Sequence, residues 1–288
     1  MPSLYVVATP IGNLEDISMR ALRILREAKL IAAEDTRKTK RLTAVYDIKT
    51  PMTSYYEHSK LSKMDYILSQ LEEGDVALVS EAGMPGVSDP GYELIAAAIE
   101  RQIPVIPVPG ASAVITAVVV SGLPTDRFTY IGFLPNKSSA RRRALESVAA
   151  ETGTIIALES PHRLQSSLKD IFDILGDRRI AVCRELTKLH EEVFRGTVSQ
   201  AITHFTGPRG EFTLVIEGNI EPARPQLTED IEKHLHDMHT SGVTAREAVA
   251  SLSAATGLSR KELYRAWLKD IKIPDTAESA CPGGKRSG

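Results

Sequence analysis

Two kinds of apolar spacing alternate along the first part of the chain. Compact β-rich runs occur at Leu4 to Ala8, Leu30 to Ala33, Val76 to Val79 and Val105 to Val108. Between them, Ile17 to Ala28, Leu61 to Glu72, Tyr92 to Arg101 and Ser112 to Ser121 carry apolar residues at helical spacing. Such alternation predicts a parallel sheet with helices on its faces. Asp16 is placed to cap the helix that starts at Ile17, and Pro90 with Gly91 immediately precedes the helix that starts at Tyr92. A boundary falls at Gly122-Leu123-Pro124-Thr125-Asp126. Beyond it, strand-like runs at Phe128 to Phe133, Thr154 to Leu158, Ile180 to Cys183, Glu192 to Arg195 and Glu211 to Glu217 interleave with helical patterns at Ser138 to Ala150, His162 to Leu175 and Ser199 to Phe205. This predicts a second α/β domain with some antiparallel pairing.

The last quarter changes character. Glu221-Pro222-Ala223-Arg224-Pro225 reads as a linker, followed by helical patterns at Leu227 to Thr240, Thr244 to Thr256 and Ser259 to Ile271. Thr244 with Glu247, and Ser259 with Glu262, have the spacing of capping boxes. The last two helices, joined by Thr256-Gly257-Leu258, have helix-turn-helix order, and Arg260, Lys261, Arg265 and Lys269 make the final one basic. A small amphipathic bundle with solvated charges fits the pattern equally well. The expected organisation is an N-terminal α/β domain over 1–122, a C-terminal one over 123–221, a helical extension over 226–273 and a disordered tail over 274–288.

Composition narrows the function classes. A chain of 288 residues with 42% hydrophobic content is long enough for two cores. Its 35 Lys+Arg against 37 Asp+Glu give no overall basic field, so a nucleic acid would have to be held by local patches. Cys183 and Cys281 lie far apart, and Cys183 falls inside an apolar run, as a buried free thiol does. The chain runs from Met1 directly into its first strand, and no stretch approaches a membrane span. A cytoplasmic protein in a reducing compartment is expected.

The chemistry concentrates where apolar runs break into Gly/Pro loops. The fullest is Val79-Ser80-Glu81-Ala82-Gly83-Met84-Pro85-Gly86-Val87-Ser88-Asp89-Pro90-Gly91, and similar junctions occur at Ala8 to Asn13, Pro107 to Ala113 and Leu158 to Arg163. In parallel α/β sheets the loops at the strands' carboxyl ends meet ligands, although an isolated loop of this composition often only turns the chain. The loop after the first strand lacks G-x-G-x-x-G, and no G-x-x-x-x-G-K-[ST] occurs, which argues against dinucleotide and nucleoside-triphosphate sites. His234, His236 and His239 cannot share one helical face and lack a zinc partner set, so no metal is expected. His162 is conceivable as a general base, but a helix-start histidine that hydrogen-bonds locally is the plainer reading.

Seven ordered strings, Ala8-Thr9-Pro10-Ile11-Gly12-Asn13-Leu14-Glu15-Asp16-Ile17, Ala33-Glu34-Asp35-Thr36-Arg37, Ser80 to Pro85 with Ser88-Asp89-Pro90-Gly91, Pro109-Gly110-Ala111-Ser112-Ala113, Glu159-Ser160-Pro161-His162-Arg163, Arg184-Glu185-Leu186-Thr187-Lys188 and Gly210-Glu211-Phe212, resemble bacterial small-subunit (16S) rRNA cytidine 2′-O-methyltransferases of the tetrapyrrole methylase superfamily. The resemblance covers about residues 4 to 220, and the helical extension also resembles that family's. It implies two α/β domains with S-adenosylmethionine in the cleft between them, a homodimer, and 16S rRNA of the small ribosomal subunit as partner. Cofactor contacts are then expected from Pro10, Ile11, Gly12, Ser80, Glu81, Ala82, Gly83, Met84, Pro85, Ser112, Ala113 and Leu158. Glu81 and Met84 replace the Asp and Thr of the family's usual Ser-Asp-Ala-Gly-Thr-Pro, which makes backbone contact the safer expectation there.

Methyl transfer to a ribose hydroxyl requires alignment of donor and acceptor and removal of one proton. Candidates are Glu34 and Arg37, beside Asp35, and Glu185 and Lys188, beside Arg184. Glu34 or Glu185 could accept the proton directly, and Lys188 only if its surroundings lower its pKa. Each could instead be an ion pair that stiffens the cleft. RNA phosphates would be met by Lys38, Lys40 and Arg41 and by Lys137, Arg141, Arg142 and Arg143, two basic runs just past predicted strand ends. A relative that methylates a small tetrapyrrole-like acceptor, and an RNA-binding factor without catalysis, remain alternatives. The arginine run and the basic terminal helix favour the RNA acceptor, and the departures at Glu81 and Met84 are what the last alternative rests on.

Overall fold

A computed structural model describes residues 2–55, 60–219 and 227–271. Contacts divide the chain into two units, Met1–Asn219 and Ile220–Gly288. The predicted linker at 221–225, the tail at 274–288 and Cys281 lie outside the described residues.

The first unit holds two five-stranded sheets. Strands β1 (Leu4–Val7), β2 (Leu30–Ala33), β3 (Met52–Ser54), β4 (Val76–Val79) and β5 (Val105–Val108) make a parallel sheet ordered β3-β2-β4-β1-β5. Its middle strands read as unbroken apolar runs because both faces are covered. Leu4, Leu30, Ala32, Val76 and Leu78 enter one core, while Val7, Ile31, Ala33, Ala77 and Val79 enter the other. Helices α1 (Met19–Glu27), α2 (Thr36–Val45), α3 (Lys60–Glu73), α4 (Tyr92–Glu100) and α5 (Ala113–Ser121) connect the strands.

The second sheet, β6 (Phe128–Phe133), β7 (Thr154–Glu159), β8 (Arg179–Arg184), β9 (Glu192–Thr197) and β10 (Phe212–Ile216), is ordered β6-β7-β10-β8-β9. Only β6 and β7 pair in parallel; the other neighbours are antiparallel, as expected for this half. Helices α6 (Ser138–Ser147), α7 (Leu164–Leu175) and α8 (Val198–His204) belong to this half. Side chains alternate across the sheet: Ile155, Ala157, Ile180, Val182, Leu214 and Ile216 join one core, whereas Ile156, Ala181, Cys183 and Val215 join another that contains Ala117 and Val118 of α5 and Ile11. Helix α5 therefore follows the first sheet in sequence yet packs on the second, which ties the two halves into one unit.

Three local expectations need correction. Ser18, not Asp16, caps α1, since its hydroxyl accepts from Ala21 N at 3.0 Å while Asp16 ends a 3₁₀ turn over Leu14–Asp16. Helix α2 forms where only a basic run was read; Asp35 caps it, and Thr39, Leu42 and Thr43 are its buried side. Strand β3 is a three-residue edge, too short for an alternation signal.

The described residues of the second unit form three helices, α9 (Glu229–Thr240), α10 (Ala245–Thr256) and α11 (Arg260–Ile271). Leu235, Val249, Leu252, Leu263 and Trp267 fill its core. The capping box of Thr244 with Glu247 is formed, and α10 ends on Gly257 at φ 74°, a left-handed stop that glycine adopts without steric cost.

Candidate active site

A cavity of ≈ 400 Å³ opens within the first unit, in the size range of small-molecule sites. The loop after β4 (Glu81 to Met84 and Val87 to Asp89) makes one wall together with Ile11, while Ser112 to Val114 bring the start of α5. The second sheet supplies Tyr130, Phe133, Leu158 to Pro161, Cys183, Leu186 and Glu211 to Thr213. Most of these surfaces are apolar, and the acidic residues Glu81, Asp89 and Glu211 interrupt them, while the Glu159 carboxylate is buried against Arg163.

The walls are held by backbone. Thr9 N donates to Gly83 O at 2.9 Å, and Gly83 N returns a bond to Thr9 O at 3.0 Å, so the loops after β1 and β4 form a bridge. Gly83 sits at φ 76°, the left-handed region in which side chains are strained. Ser80, buried below these bonds, braces the loop through its hydroxyl to Ala82 O and Gly83 O rather than facing the cavity. Across the cavity, the hydroxyls of Ser88 and Tyr130 hydrogen-bond at 2.6 Å, joining the β4 loop to the second sheet. Ser88 itself has φ 61°. Ser112 caps α5 by accepting from Ile115 N.

A second junction lies at the loop after β8. Asn13 N donates to Thr187 Oγ1 at 3.1 Å. A Cβ on Gly12 would stand 2.4 Å from Lys188 Cγ and 2.8 Å from Thr187 Oγ1, so this approach requires glycine. Glu185 and Thr187 have φ of 49° and 67°, strain concentrated beside the cleft, where such backbone outliers cluster at functional sites.

Charge is handled differently at these two places. Lys188 Nζ donates to Glu185 at 3.0 Å and to Glu211 at 2.9 Å, and Glu211 N donates to Glu185 Oε1 at 2.9 Å. Burial alone would raise the Glu185 pKa, but these donors outweigh it and hold the carboxyl below its usual range. Burial likewise opposes the Lys188 ammonium, yet its two carboxylate partners hold it above the ordinary lysine value. The Asp89 carboxyl is pushed up to about 6, first by burial and then by the charges of Glu34 and Glu81. Glu34 is also raised, chiefly by burial, although its carboxylate accepts from Glu81 N at 3.1 Å. Burial pushes the Cys183 thiol on the cavity wall up to about 11, which keeps it neutral.

Of the expected cofactor contacts, Ile11, Glu81, Ala82, Gly83, Met84, Ser112, Ala113 and Leu158 line the cavity. Pro10, Gly12, Ser80 and Pro85 do not; Ser80 and Gly12 support the walls instead. The Glu81 side chain ion-pairs with Lys38. Of the catalytic candidates none lines the cavity, although Glu34 and Lys188 hydrogen-bond to Glu81 and Glu211, which do. The Arg37 side chain is 89% exposed and folds back on the capping Asp35, so it is not brought to the cleft. Lys188 fails the condition set for it as a base, because its partners stabilise the charged form. His162 is exposed and outside the lining set.

The basic run on α6 divides. Arg141 is 3% exposed and clamps Asp170 through Nε at 2.7 Å and through its terminal nitrogen at 2.6 Å, so its guanidinium is not available to phosphate. Arg142 bonds Asp170 and Asp173, each at 3.0 Å. Lys137 and Arg143 are exposed, as are Lys38, Lys40 and Arg41. Asp89, Tyr130 and Cys183 were not singled out in the sequence as site residues. Ser88-Asp89 stood within a noted motif, but only the fold shows that it faces a cavity.

The family described as Tetrapyrrole (Corrin/Porphyrin) Methylases matches residues 3–202. Among curated proteins, the Ribosomal RNA small subunit methyltransferase I of Halalkalibacterium halodurans is 47% identical over 91% of this chain and 93% of its own. That of Synechocystis is 47% identical over 92% of this chain and 97% of its own, and that of Thermotoga maritima 51% identical over 221 residues, 76% of this chain and 99% of its own. Among solved structures, a uroporphyrin-III-C-methyltransferase from Thermus thermophilus shares the fold with a TM-score of 0.56 at 18% identity, covering 75% of this chain and 94% of that one. Another crystal structure of the Thermus enzyme, complexed with S-adenosyl homocysteine, gives a TM-score of 0.52 at 20% identity over 75% of this chain and 97% of that one. The chain therefore belongs to the tetrapyrrole methylase family, in the branch of the small-subunit ribosomal RNA methyltransferases I.

Proposed function

We propose that this protein transfers a methyl group from S-adenosylmethionine to the 2′-hydroxyl of a cytidine ribose in 16S rRNA, with the small ribosomal subunit as the setting and a homodimer as the working form. The observation that carries the reading is near-full-length identity to rRNA small subunit methyltransferases I, joined to a cavity walled by the loops in which the sequence motifs lie. The residues present fit the cofactor. Apolar side chains such as Ile11, Val114, Leu158 and Phe133 suit a nucleoside, and the Asp89, Glu81 and Glu211 carboxylates suit a sulfonium cation. Ile11, Ala82 to Met84, Ser112, Ala113 and Leu158 would hold it. When bound, S-adenosylmethionine supplies the electrophilic methyl group and the sulfur leaving group.

The chain's own contribution is alignment and management of one proton. Asp89 is the residue we assign as proton acceptor, because it lines the cavity and its pKa of about 6 lies near physiological pH, where general bases are most effective. Tyr130 holds the neighbouring Ser88 and so fixes the loop that bears Asp89. Glu34 positions the loop by accepting from Glu81 N. Lys188, held as a cation between Glu185 and Glu211, stiffens the opposite wall. Exposed Lys38, Lys40, Arg41, Lys137 and Arg143 supply cations for RNA phosphates. Support for the dimer comes from Ile115 and Val119, one turn apart on α5, which remain 51% and 71% exposed on an otherwise packed apolar helix.

The test is incubation with radiolabelled S-adenosylmethionine and small subunits lacking ribose methylation, followed by nuclease digestion and nucleoside analysis. Label in 2′-O-methylcytidine is the expected result, and label confined to other positions, or absent, overturns the reading. Light scattering of the purified chain reads the dimer.

A further inference from the structure

The helical second unit falls outside the residues matched by the family, and none of its described residues is among those lining the cavity. The Thermotoga relative, matched almost whole within a length close to that of the first unit, indicates that methyl transfer does not require it. We propose that this unit is an RNA-docking module whose contact face is the outer stripe of α11, a role that rests on the rRNA acceptor proposed above.

The orientation of α11 is fixed by its core. Leu263, Ala266 and Trp267 face inward at 0%, 8% and 4% exposure, and the Trp267 ring meets His239 edge-on at 5.0 Å. Lys261, Tyr264, Arg265, Leu268 and Lys269 therefore share the outward face, at the i, i+3, i+4, i+7, i+8 spacing of one helical stripe. Tyr264 is 49% and Leu268 43% exposed, so a ring and an aliphatic side chain stand in solvent between three cations. Among the described residues no carboxylate ion-pairs with Lys261, Arg265 or Lys269. Acids are densest on α9, at Glu229, Asp230, Glu232 and Asp237, whereas on α11 four cations, Arg260, Lys261, Arg265 and Lys269, stand against Asp270 and Glu262, the latter accepting from the Ser259 hydroxyl. The unit is thus polarised, and a polyanion is steered to α11.

This combination is the one single-stranded or looped RNA takes: cations meet phosphates, and an exposed ring stacks on an unpaired base. A membrane surface would require a broader apolar face than Tyr264 and Leu268 provide. The order α10, Gly257 turn, α11 also places the basic helix second, as in helix-turn-helix nucleic-acid binders.

The test uses the full chain with Lys261→Glu/Arg265→Glu, and separately Tyr264→Ala, all at exposed positions. A fluorescein-labelled 20-nucleotide single-stranded oligoribonucleotide and protein-free 16S rRNA serve as binding probes, and undermethylated small subunits as substrate. The double variant is expected to weaken binding to both RNA probes about tenfold or more and to flatten its salt dependence, because two phosphate contacts become repulsive. KM for subunits rises by a similar factor, while kcat, S-adenosylmethionine affinity and the circular dichroism spectrum stay unchanged. Tyr264→Ala weakens binding without altering the salt slope. Unchanged RNA affinity overturns the proposal, and so does a raised KM for subunits with unchanged affinity for naked RNA, which assigns the face to a ribosomal protein. A wild-type chain that binds the RNA probes through α11 but never labels ribose overturns the proposed reaction and leaves the docking surface standing.

Discussion

Two regions flank the cleft and treat buried charge in opposite ways. Around the second sheet, buried or half-buried carboxylates meet a cation: Asp170 has Arg141 and Arg142, Glu159 has Arg163 at 2.8 Å, and Glu185 has Lys188. In the β4 loop, Asp89 faces Glu34 and Glu81, and the nearby Lys38 is engaged with Glu81. Pairing lowers the pKa of Asp170 and Glu185 although burial works the other way, whereas burial and like charge raise Asp89 and Glu34. The second sheet uses charge to hold shape, and the β4 loop keeps a carboxyl ready to exchange a proton. Stability given up at one wall of the cleft in favour of chemistry is the usual exchange at catalytic sites.

The sharpest way to break this contrast is Asp89→Asn. If Asp89 accepts the proton, kcat for ribose methylation falls by about 10² to 10⁴, the range general-base catalysis supplies. S-adenosylmethionine affinity by calorimetry changes far less, because removal of one carboxylate leaves the apolar lining in place. The acid limb of the wild-type pH profile, centred near the Asp89 pKa of about 6, should disappear from the residual activity. A variant that retains its kcat and its acid limb removes Asp89 from the mechanism and shifts attention to Glu34.

A comparable free energy, read as stability, is expected on the paired side. Arg141→Ala removes the closer of the two cations on Asp170, whose side chain is 10% exposed, and leaves Arg142 in place, so the cost reaches at most about 3–5 kcal/mol, that of an uncompensated buried charge. Chemical denaturation should show a lowered midpoint, whereas Arg143→Ala, one helix face away and exposed, should leave it unchanged. Equal effects of the two substitutions would show that the α6 arginines are alike, as the sequence reads them.

That reading shows where sequence legibility ends. Strands were legible because continuous apolar runs follow from sheets covered on both faces, and the helices with broad apolar stripes or clear caps were equally plain. Helix α2 was not, since Thr39 and Thr43 carry much of its buried side and threonine gives a weak apolar signal. Successive helical residues point about 100° apart, so three consecutive arginines could not share one environment. Which of them turns inward depends on Asp170, 29 positions away on α7. The site divided similarly. Loop backbones at Ala82 and Gly83 were predictable from glycine and proline content, while Tyr130 and Cys183 came to the cavity only through the stacking of the second sheet on α5.

The smallest predicted effect tests the contrast most directly, because its sign differs at the two places. Asp89 is raised on folding from 3.8 to about 6, so the folded state holds that proton more tightly. Its stabilising contribution is complete below about 4 and is lost as pH rises through about 6. Asp89→Asn should therefore raise the melting temperature at pH 7.5 relative to wild type, and the gain should vanish by pH 4. Glu185 is lowered on folding, so its contribution is present above the ordinary glutamate value and is lost as pH falls through the folded one. Glu185→Gln should lower the melting temperature at pH 7.5 and converge with wild type in acid. Both groups are partly solvated, and each shift should amount to a few degrees at most. Thermal scans across pH 4 to 8 read the two slopes side by side. Slopes of the same sign would mean that the β4 loop and the β8 loop handle charge alike, and Asp89 would lose its claim to be held for proton transfer.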